Sequence, residues 1–90
     1  MGLRQAFRFS FKSAEDVRTL LRSLTHSATV DDRGDFFVFT QLPGQPNYSF
    51  DCSLVPEGLH SDRGGDYHTF VGLLIEVLTG QFGRVEVEDI

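Results

Sequence analysis

Cys52 is the only thiol in a chain of 90 residues, and a lone thiol becomes a nucleophile only when its thiolate is stabilised. From Tyr48 to Val55 the chain alternates Tyr48, Phe50, Cys52 and Leu54 against Ser49, Asp51 and Ser53. That pattern puts the sulfur among apolar neighbours and predicts an inert, buried thiol. His60, Asp62, Asp66 and His68 bracket a glycine pair and carry metal-ligating atoms. Their spacing matches no ligand motif: the chain has no Cys pair, no HExxH and no DxDxDG. His68 and Glu76 stand two helical turns apart, roughly 12 Å, too far to share one ion. The loop SDRGGD could offer glycine amides to a phosphate, but Asp62 and Asp66 would repel it, and neither GxGxxG nor GxxxxGK[ST] occurs. No triad or carboxylate pair can be assembled from these spacings. The residues read as a non-enzymatic protein with no cofactor and no metal.

The elements that position these residues follow from hydropathy. Phe70 to Leu78 reads FVGLLIEVL, with seven apolar residues in nine. A helix so apolar is expected to form the central beam of the core, with strands packed against it. Asp66 is its expected N-cap and Gly80 its expected C-cap, with Gly64 and Gly65 in the approaching loop. His68, Gly72, Glu76 and Thr79 form the one polar stripe that can face water. Leu3 to Phe11 alternates with period two, setting Leu3, Phe7, Phe9 and Phe11 against Arg4, Arg8 and Ser10, and predicts a half-buried strand. Ser13 opens a first helix, in which Val17, Leu20, Leu21 and Leu24 fall on one stripe.

A second extended stretch begins at Ala28 to Val30. Asp31 to Asp35 reads as a turn in which Gly34 takes positive φ. Asp35 to Thr40, DFFVFT, is a strand with large apolar groups on both faces. Phe37 and Phe39 share one face and Phe36 and Val38 the other, and the Phe37/Phe39 row is expected to lie outside the main core. QLPGQPN, 41–47, is a loop; Tyr48 to Val55 is a strand ended by Pro56; a polar loop runs from Glu57 to the Asp66 cap. The last strand, from Arg84, turns Val85 and Val87 inward and sets Glu86 and Glu88 beside the basic row Arg4, Arg8 and Lys12. The fold class expected is α+β, a two-layer α/β sandwich of ferredoxin-like βαββαβ type. Its first and last strands lie side by side at the sheet centre, a hairpin strand is added within 28–40, and both helices lie on one face of a mostly antiparallel sheet. Ninety residues make one domain, burying roughly 60–65% of the unfolded chain's surface, enough for a core without staples.

Charge narrows the partner. Residues 1–30 carry +3 and residues 31–90 carry −8, for a net −5. Such a chain lacks the basic patch that nucleic acid requires. The opening MGLRQAFRFSF has no long apolar run, and Ala6 stands where a myristoylation motif has Ser or Thr. The expectation is a cytoplasmic protein with no membrane segment. One cysteine rules out an internal disulfide.

Two functions remain. The first is a protein-binding module: a small acidic inhibitor that neutralises a cationic partner such as a toxin through Asp31, Asp32, Asp35 and Asp62 and the Phe37/Phe39 row. In size, charge and general build it resembles small bacterial immunity proteins, with no motif in common. The second is a small-molecule-binding or regulatory domain with a pocket around His60 to His68, acting as a homodimer through the Phe37/Phe39 face.

Overall fold

Alternation and turn chemistry produce six strands and two α-helices in a computed structural model that describes residues 3–90, with the side chain of Leu3 excepted. The Met1-Gly2 start of the myristoylation reading lies outside the described residues. The chain runs β1 (Leu3–Arg8), α1 (Ala14–Arg22) with a 3-10 turn (Ser23–His26), β2 (Thr29–Asp32), β3 (Phe36–Thr40), β4 (Tyr48–Val55), β5 (Gly58–Gly65), α2 (His68–Phe82) and β6 (Glu86–Asp89). The sheet order is β2-β3-β4-β5-β1-β6, and every neighbouring pair is antiparallel.

This is α+β, but it is not the ferredoxin-like arrangement. The difference lies in 58–65, expected as loop and found as β5. Pro56 and Glu57 turn the chain tightly, so that Val55 pairs with Gly58 and the hairpin zips to Tyr48 opposite Gly65. β5 then separates β4 from β1. β1 does pair with β6, as the charge pattern suggested, but β6 is the sheet edge and not its centre. Hydropathy hides β5 because only Leu59 among its inward residues is apolar. Ser61 and Arg63 also point inward and are buried. The Ser61 hydroxyl donates to Gln5 O at 3.3 Å. Arg63 lays its guanidinium over the Tyr67 ring, 4.7 Å from the centroid. Its Nε and Nη1 have no hydrogen-bond partner among the described residues, and burial pushes its pKa down.

Both helices cover one face of the sheet. Val17, Leu21 and Leu24 from α1 and its 3-10 turn join Phe70, Leu74 and Leu78 from α2 in one cluster with Phe7, Phe37, Phe39, Phe50, Cys52 and Leu59. Aromatic rings tie the layers: Phe70 lies 4.8 Å from Phe39 and 5.3 Å from Phe50, centroid to centroid. Phe82 stacks on Phe9 at 5.0 Å.

α1 forms as the sequence implies. The Ser13 side chain caps it by accepting from Glu15 N at 3.2 Å. α2 departs from expectation. It is no central beam: it lies on the sheet with one stripe down, Phe70, Leu74 and Leu78, at spacings of four. Val71, Ile75 and Val77 flank that stripe and are only partly buried. The polar stripe of His68, Gly72, Glu76 and Thr79 is exposed as expected. The helix begins at His68, with Tyr67 in place of Asp66 at the N-cap and no side-chain cap. It also runs through Gly80, and Gly83, at φ 85°, ends it as C-cap. Gly80 could not stop the helix while the following turn carried Phe82 onto Phe9.

Candidate functional site

Among the described residues, no helix or strand packs on the face of the sheet turned away from the helices. Register decides what stands on it. Asp31 pairs with Val38, Val38 with Asp51, Asp51 with Asp62, and Asp62 with Arg4. These five side chains form one row across five strands. The adjoining row runs Phe36, Ser53, His60, Ala6 and Glu88. Phe36 and Val38 are half-buried, and neither belongs to the core cluster.

Asp51 and Asp62 are directly opposite in the register, an arrangement of like charges that costs stability. Partial burial, and after it the Asp62 charge, raise the Asp51 pKa above the ordinary carboxylate value. Arg4 hydrogen-bonds only the Asp62 side of the pair, and at Asp51 its charge offsets part of the rise without cancelling it. It donates from Nη2 to Asp62 Oδ2 at 3.1 Å and from Nε to Oδ1 at 3.3 Å, and this pairing raises the arginine's own pKa. Asp51 has no such cation among the described residues.

The structure divides the partner residues expected from sequence. Asp31 and Asp62 share the open face. Asp31 holds Arg33 at 2.9 Å. Asp32 and Asp35 turn instead toward α1. Asp32 Oδ2 accepts from Arg22 Nε at 2.6 Å and Oδ1 from Gly34 N at 2.9 Å. The Gly34 amide first and Arg22 second hold its pKa below the usual value. Asp35 accepts from Arg18 Nε at 3.0 Å. These two carboxylates dock the first helix on the β2–β3 corner, and Gly34 takes φ 87° in the turn between them.

The expectation for Phe37 and Phe39 is overturned: both are fully buried under the helices. The expected row faced the wrong way because Phe37 pairs with Cys52 and Phe39 with Phe50, in phase with the core face of β4. The pair that looks outward is Phe36 and Val38. The pocket expected around His60 to His68 divides as well. His60 and Asp62 stand on the open face, and His68 lies at the start of α2 on the helix side. Cys52 is buried, and its thiol is pushed up to about 12 by desolvation and then by Asp51. Among the described residues, no group of three or more His, Cys, Asp or Glu could hold a metal ion, and no helix is long and apolar enough to cross a membrane.

Asp51 was legible in sequence as an outward residue of β4, but its alignment with Asp62 was not, because Asp62 sat in a presumed loop. Compared with protein families, curated proteins and solved structures, the chain matches none.

Proposed function

We propose that the protein is a binding module whose open sheet face receives a cationic protein, acting as an inhibitor of a basic partner such as a toxin. The observation that carries this reading is the Asp51–Asp62 pair, opposed on an uncovered face beside half-buried Phe36 and Val38. A cationic side chain inserted between the two carboxylates removes their repulsion and is attracted by both. Phe36 and Val38 supply apolar area next to that anchor, the composition expected of an interface centre rimmed by polar groups. The −8 balance of residues 31–90 steers such a partner before contact. In this reading Asp31, Asp51 and Asp62 contact the partner, and Asp32 and Asp35 hold α1.

The test is affinity capture with the wild type and with a variant carrying Phe36→Ser, Val38→Ser and Asp51→Asn. A basic protein retained by the wild type and lost by the folded variant supports the reading. An identical set of captured proteins on both sinks it. With the partner in hand, stopped-flow association should slow as salt rises and slow further with Asp51→Asn.

A further inference from the structure

A cleft of about 620 Å³ opens on the helix side of the molecule, away from the face just described. It lies between the 3-10 turn after α1, the β3–β4 loop and the first two turns of α2. Pro46, Tyr48, His68, Thr69, Phe70 and Leu73 are among the residues that line it. Its volume is in the range of small-molecule sites.

Several groups at this cleft are donors without an acceptor among the described residues. α2 starts without a side-chain cap and without an acidic residue in its first turn. The N–H groups of His68, Thr69 and Phe70 accordingly have no acceptor among the described residues, the first bonded amide being Val71 N to Tyr67 O. These three residues line the cleft. Tyr48, 9% exposed, lines it too, and its hydroxyl is buried with no partner. A buried hydroxyl without a partner is costly, and it marks a place where an acceptor is missing. Gln45 has its carbonyl oxygen engaged by Leu42 N at 2.9 Å, which leaves its amide to donate. Phe70, Leu73 and Pro46 give the cleft apolar walls. The one carboxylate at the cleft, that of Asp66, belongs to an exposed residue.

We propose that this cleft binds a small organic acid with an apolar body, its carboxylate accepting from the uncapped first turn of α2 and from the Tyr48 hydroxyl. The helix dipole favours an anion at this end, and the apolar walls select against a bare inorganic ion. Asp66 opposes the ligand's charge and so limits affinity from the rim.

The proposal is tested with three probes that share one body: phenylacetate, phenylacetamide and phenethylamine. Each is titrated into the ¹⁵N-labelled protein while the amide resonances of His68, Thr69 and Phe70 are followed. Phenylacetate should shift them saturably and bind about tenfold tighter than the amide, the difference expected for hydrogen bonds to a charged acceptor. Asp66→Asn should tighten phenylacetate alone. Tyr48→Phe should weaken it and leave the unfolding midpoint unchanged or raised, since it removes only an unpartnered hydroxyl. Equal shifts from all three probes, a preference for phenethylamine, or no shift from phenylacetate up to about 10 mM, the weak end of specific binding, would overturn the proposal.

Discussion

The two faces of this sheet are built from the same strands, and they differ in almost every other respect. The inner face carries Phe7, Phe37, Phe39, Phe50 and Leu59, all fully buried, and receives both helices. The outer face carries Asp31, Val38, Asp51, Asp62 and Arg4 in one row, and neither helix packs on it. Each strand therefore satisfies two environments at once, and a single position of register decides which residue meets which. β3 shows this most plainly. FFVF offers nearly equal apolar mass to both faces, yet Phe37 and Phe39 are core and Phe36 and Val38 are surface. The comparison teaches that an uninterrupted aromatic run does not announce an exposed patch; it announces a strand whose two faces both have work to do.

The comparison can be broken hardest at the core. Phe39→Ala removes a ring that touches Phe37, Phe50 and Phe70. It should cost about 3–5 kcal/mol, read as a fall in the urea midpoint, a large part of a small domain's stability. Leu74→Ala, at the middle of the buried stripe of α2, should cost about 2–5 kcal/mol by the same measurement. If Phe39→Ala is nearly silent, the inner face has been misassigned.

A smaller effect sharpens the contrast from the other side. Phe36→Ser on the outer face should cost about 1 kcal/mol, the span of strand propensity and partial burial together, with the cooperative transition intact. A loss as large as that of Phe39→Ala would mean that something covers the outer face in solution, and sedimentation would then report a dimer.

The smallest effect concerns pH. The folded protein holds the Asp51 proton more tightly than the unfolded chain does. Asp51 therefore favours folding at acid pH, and that contribution is lost as pH rises through its raised pKa. Asp32 works the other way: its lowered pKa makes it stabilising above the ordinary carboxylate value and less so as pH falls through its folded one. Asp51→Asn should remove the decline on the alkaline side of the carboxylate range and leave the protein slightly more stable at neutrality. Denaturation midpoints from pH 4 to pH 8 decide it, and an unchanged profile would show that the Asp51–Asp62 opposition costs nothing in the folded state.

How far each element was legible depends on whether its signal was local. α1 could be read closely, because the Ser13 cap and the Val17, Leu21, Leu24 stripe are contained in a dozen residues. β4 could be read for the same reason, by its alternation. β5 could not. A strand is recognised by apolar residues on one face, and here the inward positions after Leu59 are Ser61 and Arg63. They are tolerated because Ser61 bonds to a β1 carbonyl and Arg63 lies over Tyr67. Missing that strand changed the sheet order, and it also removed Asp62 from its place opposite Asp51.

The sequence by itself determined the α+β class, the two helices, the pairing of first and last strands, the burial of Cys52 and the acidic balance. All but the strand pairing rest on composition or on periodicity within one segment, and the pairing was suggested by the opposite charge of the two terminal strands' outer faces. Only the tertiary structure decided which aromatic row of β3 is core, that α2 lies on the sheet and not within it, and that Asp32 and Asp35 serve α1 while Asp31, Asp51 and Asp62 share an open face. Those outcomes depend on register between strands far apart in the chain, and register is a property of pairs of segments that no single segment carries.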